Sequence, residues 1–387
     1  METKLTVRVL KKVSDVQRDD WDHLLKGGSP FLRWDWLDAL EKTGCASSKT
    51  GWLPQHIVIE KKGKPVAACP MYLKGHSMGE FVFDHEWAHF ATRSGIQYYP
   101  KMLVAVPFTP VTGMRFLTDP KENRSQLTQL LGQTLIQICR ENNISSVHVN
   151  FCLEDESEVL KKFGFLPKIG LQFHWQNHGY QTFDDYLESF RSDRRNKIKK
   201  ERRELDTQGI RVRAVEGDEL SPGLLKTMFH LYKTHIDELY YGRQYLNMGF
   251  FEELAHRFKD YVCLVIAEKD SRVIAGTLNA QDEVAMYGRY WGALEYHRFL
   301  HFNVCYYSAI EHCVQKGLQR FEAGAGGSFK GLRGLEPEMT YSMHYISDER
   351  FRKVLREHLQ EERSYTASKQ SALLARSPLK KGAENAG

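Results

Sequence analysis

Two stretches of this chain, QHIVIEKKGKPVAACPMYLK at 55–74 and VCLVIAEKDSRVIAGTLNAQ at 262–281, each place two strand-like runs around a polar turn. Alternating segments joined this closely pair with each other as antiparallel strands. Aligning Val66 with Val273 superimposes KPVAAC on SRVIAG. The order of elements around the two stretches is also shared, so the chain reads as an internal duplication of one mixed unit.

The first half runs from strand-like LTVRVL (5–10) through the helix-spaced FLRWDWLDALEKTG (31–44) to the first strand pair. EFVFDHEWAHF (80–90) follows as a third strand-like run, then an irregular Tyr- and Pro-rich stretch (98–113) and a long helix over 122–142. SSVHVNF (145–151) is strand-like, EDESEVLKKFGF a short helix and LQFHWQNHGY another strand. In the second half, FHLYKTHIDELY (229–240) and GFFEELAHRFKDY (249–261) have helical spacing. The second strand pair leads to a strand EVAMYGRYWGA, a helix NVCYYSAIEHCVQKGL (303–318) and the strand RFEAGA. A boundary near 176–181 gives domains 1–178 and 179–363. The second opens with a basic helix over 183–206, begun by a capping box from Thr182 to Asp185. The small, polar and basic residues 364–387 read as a disordered tail.

The bulk properties exclude several classes. Seven cysteines are scattered without a C-x-x-C, which suits reduced buried thiols in a cytoplasmic protein. The N-terminal sequence lacks a signal-peptide core, and runs such as MLVAVPF (102–108) are too short to span a membrane. There is no HExxH, no Cys/His metal spacing and no G-x-S-x-G, so no metal is implied. Asp84-His85-Glu86, read on a strand, puts both acids on one face and His85 on the other. The net charge of +5 gives no argument for DNA, but it is concentrated: residues 191–203, RSDRRNKIKKERR, hold eight basic and two acidic side chains.

Three segments carry candidate chemistry. On the basic helix, Phe183, Leu187, Phe190, Ile198 and Leu205 form the buried stripe, and Arg194 falls on it. Arg194 and its neighbour Arg195 belong either to a solvated face or to a phosphate contact, on a nucleotide-bearing donor or a tRNA backbone. In FEAGAGGSFKGLRGLEP (321–337), a strand runs into glycines that allow close backbone approach to a ligand. Its spacing is not that of a P-loop. Glu322 is placed to accept a proton from an attacking amine, or else to form a salt bridge with Lys330 or Arg333. Arg289, inside an aromatic strand, needs a carboxylate or a ligand anion as partner. His301 stands before a helix N-terminus that suits an anion.

These segments, with SPFLRWDWLDALEKTG, GEFVFDHEWA, YYPKMLVAVPFTPVTG, YLNMGFF and YSMHYI, resemble the FemAB-like family of predicted N-acyltransferases over nearly the whole chain. The resemblance implies an α/β (α+β) protein of tandem GNAT-like domains, each a mixed, largely antiparallel sheet flanked by helices. It implies transfer of an acyl or aminoacyl group to an amine by direct attack, without metal or tightly bound cofactor. The donor would be acyl-CoA or aminoacyl-tRNA; the acceptor would be a small molecule, peptide or cell-wall precursor. The family pattern falls on Asp84, Trp87, Tyr98, Tyr99, Arg194, Arg195, Arg289, His301, Glu322, Lys330 and Arg333. The chain departs from it at Ser328-Phe329, where the family reads Glu-His, and at Asn303, where it has an acid. The competing expectation is a non-catalytic module on the same scaffold, binding a cell-wall fragment or RNA.

Overall fold

The structure, a computed structural model, describes residues 5–25, 27–239, 242–327 and 329–380. It divides into two compact units, residues 1–170 with 339–368 and residues 171–338 with 369–387. The sequence reading instead divided the chain at 178.

Unit 1 contains β1 (Leu5–Leu10), α1 (Arg18–His23), α2 (Trp34–Lys42), β2 (Trp52–Pro54), β3 (His56–Lys61), β4 (Lys64–Cys69) and β5 (Met71–Lys74). After these come α3 (His85–Arg93), β6 (Lys101–Val104), β7 (Leu117–Thr118), α4 (Arg124–Glu141), β8 (Ser146–Cys152), α5 (Glu154–Lys161) and the start of β9 (Leu166–Gln176). The anticipated hairpin is present, with Ile59 opposite Ala67. It lies in an antiparallel sheet ordered β1-β3-β4-β7. In a second sheet β2, β5, β6 and β8 are neighbours in that order, with β6 and β8 parallel. Asn123 caps α4 by accepting from the Gln126 amide. Leu127, Leu131, Leu135 and Cys139, four residues apart, turn that helix onto the core.

One element differs in kind. Residues 85–93, expected as part of a strand, are α3, and Asp84 is its N-cap residue. Phe81 and Phe83 suggest alternation, but Phe83 is 75% exposed and buries nothing. Trp87, Ala88 and Ala91, at helical spacing, make the buried face.

Unit 2 contains α6 (Phe183–Glu188), α7 (Ser192–Asp206), β10 (Arg211–Glu216), α8 (Pro222–Glu238), α9 (Met248–Arg257), β11 (Val262–Lys269), β12 (Arg272–Gln281) and β13 (Ala285–Ala293). Next are α10 (Leu300–Phe302), which passes through a π-helical turn (Asn303–Tyr307) into α11 (Ser308–Lys316), and then β14 (Arg320–Glu322). The remaining strand, β15 (Glu336–Ile346), enters unit 1 and pairs there with β8; α12 (Glu349–Ala375) follows it. The unit 2 sheet runs β10-β11-β12-β13-β14-β9 and is antiparallel except for β13 beside β14. Both units thus have mixed, largely antiparallel sheets with helices, in keeping with the α/β (α+β) class that was expected.

The single helix expected over 183–206 is broken. Thr182 and Asp185 do form the capping box, but α6 stops at Glu188 and α7 restarts after an extended Arg191. Between them Phe190 pairs with Leu379 in an isolated bridge. The tail therefore differs from expectation as well. α12 continues to Ala375, and Leu379 packs buried in the same core as Phe190. Residues 381–387 lie outside the described residues.

Alternation along β12 separates the two faces of the unit 2 sheet. Ala275 joins the core shared with α11, whereas Gly276 lies against Met228 and Leu231 of α8. Gly292 of β13 meets α8 so closely that a Cβ there would stand 1.9 Å from the Leu231 carbonyl oxygen. Helix backbone has no rotamer by which to retreat. Gly292→Ala is expected to cost about 1–3 kcal/mol, seen as a lower urea midpoint at unchanged slope. An unchanged midpoint would show that α8 is not held against β13.

Candidate functional site

The strand geometry of unit 2 opens a cavity on the α11 side of the sheet. β13 and β14 pair only from Ala285 to Tyr287. One residue further, Gly288 pairs with Asn279 while Tyr290 pairs with Leu278, so Arg289 is the extra residue of a β-bulge. A bulge re-aims side chains and bends the strand. Where the two strands part, a cavity of about 300 Å³ is lined by β12, β13, the π-turn and the glycine-rich segment after β14.

Three residues singled out from sequence, Arg289, His301 and Lys330, meet on its wall. Lys330 is only 2% exposed, and its Nζ donates to the Gly324 carbonyl. Burial pushes its ammonium down to about 8, opposed by the nearby Cys305. Gly326 and Gly327 have φ of 73° and 90°, a region that favours glycine and lets this backbone turn beside the cavity. Burial, helped by Arg333, His235 and Lys330, lowers His301 to about 4, so its imidazole is neutral at pH 7. That ring sits edge-on to Trp291 and Tyr306 at 5.1 and 5.5 Å. His301 lies inside α10 rather than ahead of the helix as expected.

Sequence reasoning missed Thr277, Asn279, Cys305 and Tyr306, which also line the cavity. The Asn279 amide donates to Thr277 Oγ1 at 2.8 Å and to the Cys263 carbonyl at 3.0 Å. Their signal was available, since polar residues two apart on the core face of a strand interrupt an apolar pattern. A larger hollow of about 530 Å³, lined by Glu238 and residues 291 and 293–302, shares Trp291 and His301 with the first.

The other charged candidates of unit 2 face protein partners. Arg333 is buried with its guanidinium 3.4 Å from the Phe302 ring centre and 3.1 Å from Glu201. It also donates to the Phe329 carbonyl at 3.0 Å. Arg194 donates to the Leu332 carbonyl at 2.5 Å, and Arg195 pairs with Glu188 at 3.2 Å. Tyr307 donates to Glu201, so Arg194, Arg333 and Tyr307 all converge on this one carboxylate and fix the 329–334 turn. Asn303, the departure from an acid, donates to the carbonyls of Glu201 and Phe299. Ser328 lies outside the described residues.

Glu322 is buried, and the expected salt bridge to Lys330 or Arg333 is not its pairing. Its partners are Arg320 at 3.0 Å and His174 at 3.7 Å. Strand alternation explains this: Phe321 points into the α11-side core, so Glu322 points to the other face. Burial outweighs Arg320 and lifts the carboxyl to about 7. Glu322 is not among the described residues lining the cavity.

The four first-half candidates meet in unit 1. Asp84 accepts from Tyr98 at 2.6 Å and from Lys101, whose ammonium also donates to Glu80 at 2.8 Å and Ser77 at 2.9 Å. Tyr99 is 2.7 Å from the Ser77 hydroxyl. Trp87 stacks on His148, which lies 2.6 Å from His344 through their Nδ1 atoms. Burial opposes the Asp84 charge, but Lys101 outweighs it and holds the carboxyl well below its ordinary value. For Glu80 burial wins and lifts it to about 7.

No helix among the described residues is long and apolar enough to cross a membrane. A FemAB-like family model, described as peptidoglycan biosynthesis/recognition, matches residues 12–381. Among solved structures, FemX is similar over 88% of this chain and 98% of its own, with a TM-score of 0.55 and 13% identity. L-PGS from Bacillus licheniformis is similar over 86% and 93%, with a TM-score of 0.52 and 9% identity. The C-terminal domain of a putative lysylphosphatidylglycerol synthetase from Agrobacterium fabrum is similar over 87% and 93%, with a TM-score of 0.54 and 9% identity. At such identities the likeness is one of fold. No curated protein matches the chain by sequence.

Proposed function

Because the chain belongs to the FemAB-like family of peptidoglycan biosynthesis and recognition, we propose that it is a transferase moving an acyl or aminoacyl group from an activated ester or thioester onto an amine, with the reaction in the unit 2 cavity. The observation that carries this reading is Lys330, a buried ammonium that pairs with no carboxylate among the described residues, at the point where two parallel strands part. Attack of a neutral amine on the acyl carbonyl puts negative charge on its oxygen. A fixed cation in a site walled by aromatic rings stabilises that charge far more than water would. The β13 edge beyond Tyr287 adds peptide groups, and the Gly326-Gly327 turn lets the donor approach backbone closely.

His301, neutral and shared by both hollows, relays the proton lost by the amine. The larger aromatic hollow suits the acceptor. Glu322 acts as a positioning residue on the other face of β14. One structural relative carries the name lysylphosphatidylglycerol synthetase, which favours an aminoacyl donor, aminoacyl-tRNA, over acyl-CoA. The acceptor class is an amine of a peptide or cell-wall precursor.

The test is a transfer assay with purified protein, charged tRNA or CoA thioesters, and amine acceptors. Because Lys330 is a cation only below about 8, kcat/KM, corrected for ionisation of the acceptor, should fall tenfold per pH unit above that value. Lys330→Arg should move this limb upward, since a guanidinium stays charged. Tight binding of both donor classes with no transfer from either would replace the enzyme with a non-catalytic binding module.

A further inference from the structure

Glu216 at the end of β10, Cys263 on β11 and His312 on α11 are far apart in sequence and share no motif. The fold nevertheless brings one ligand atom from each within 4.8 Å of the others. His312 Nε2 is the centre of the group. It lies 3.7 Å from Cys263 Sγ, 3.5 Å from Glu216 Oε2 and 2.9 Å from Gln281 Oε1. In a tetrahedral zinc site, with metal–sulfur bonds of about 2.3 Å and metal–nitrogen or –oxygen bonds of about 2.0–2.1 Å, neighbouring donor atoms stand roughly 3.3–3.6 Å apart. Two of these separations are therefore already close to those a metal would impose.

We propose that Glu216, Cys263 and His312, with the Gln281 side-chain carbonyl as a fourth donor, bind a divalent cation of the zinc type. The mix of one thiol, one imidazole and two oxygens suits a borderline-soft ion better than calcium or magnesium. Cys263 and His312 are buried, but the Glu216 side chain is 28% exposed, which leaves the ion a way in. Lys316 pairs with the other Glu216 oxygen, Oε1, and its half-exposed side chain can hold that oxygen while Oε2 turns to the metal. The Gln281 amide, which donates to Glu216 Oε2 at 2.6 Å, must release it. Binding breaks the Cys263 S–H bond, forms a metal–sulfur bond and delivers the proton to solvent, so one proton leaves per ion bound. None of the four residues lines either hollow of the proposed transferase site. The ion would tie β10, β11 and α11 together without taking part in transfer.

The experiment uses the full chain without an affinity tag, stripped by chelator and titrated with Zn²⁺ against a chromogenic chelator and with Co²⁺ by absorption. The expected result is one ion per chain, with a Co²⁺ adduct showing thiolate-to-cobalt charge transfer and the intense visible bands of four-coordination. Cys263→Ser should abolish the charge-transfer band, and His312→Gln should weaken Zn²⁺ binding on the order of 100-fold or more. Lys316→Ala, which frees Glu216 Oε1, should weaken binding less than His312→Gln does. A wild-type protein whose Co²⁺ spectrum lacks charge transfer, or whose Zn²⁺ uptake stays below one ion per chain, overturns the site without recourse to any variant.

Discussion

Replacing Lys330 by methionine is expected to lower kcat/KM for acyl transfer on the order of 100- to 1000-fold while the protein stays folded. Methionine keeps most of the buried stem and removes only the charge and its bond to the Gly324 carbonyl. If Lys330 stabilises charge that exists only during reaction, the loss falls on kcat and leaves donor binding nearly unchanged. A lysine that merely braced the glycine turn would give the opposite pattern, with KM raised and arginine no better than methionine. Turnover within threefold of wild type in Lys330→Met would end the proposed role, and circular dichroism on the same sample would establish that folding was retained.

The largest stability effect is expected in unit 1. Lys101 is fully buried and holds both Asp84 and Glu80. Lys101→Met leaves Asp84 without its cation in an interior that cannot solvate it, while Lys74 still lies 3.9 Å from Glu80; breaking such a buried pair costs about 3–5 kcal/mol. Chemical denaturation should show the loss, and adding Asp84→Asn should recover part of it by removing one stranded charge. A loss below about 1 kcal/mol would mean that water reaches the cluster.

The two acids also respond oppositely to pH. Asp84, held low, contributes stability above the usual carboxylate range, and this is lost on acidification. Glu80, lifted to about 7, contributes stability below its unfolded value, and this is lost as pH rises through about 7. Glu80→Gln should remove the loss that Glu80 contributes, so the stability of the variant relative to wild type should rise as pH passes from the usual carboxylate range through about 7.

Local signals carried much of the architecture. The hairpins at 56–69 and 262–281 and the Thr182 capping box could be read because every atom they need lies within a few residues. The broken helix at Phe190 could not, because the residue bridged to it there is Leu379, nearly two hundred positions away. For the same reason Arg333 was visible as a charge but not as a partner of Glu201. Arg289, His301 and Lys330 were visible as separate candidates, and only the fold puts them on one cavity wall. Glu322 was visible as a carboxylate at a strand end, but which side of the sheet bears the cavity depends on where α11 packs. The metal cluster was invisible for a related reason, since spacing rules detect ligands that share a loop and these come from separate strands and a helix.

The π-helical turn at Asn303–Tyr307 makes the cavity sensitive to counting rather than to chemistry. A π-turn holds one residue more than an α-helix would in its place, and each helical residue advances the chain by about 100°. His301 precedes this surplus residue, while the buried face of α11 follows it. Deleting one residue here would restore an ordinary helix and leave His301 nearly in phase with Ile310 and Cys313, so the surplus residue acts within the turn itself, where Cys305 and Tyr306 line the cavity. The cavity wall is thus shaped by one residue of excess chain, and a deletion there would redraw the places of Cys305 and Tyr306 while the helix on either side kept its register.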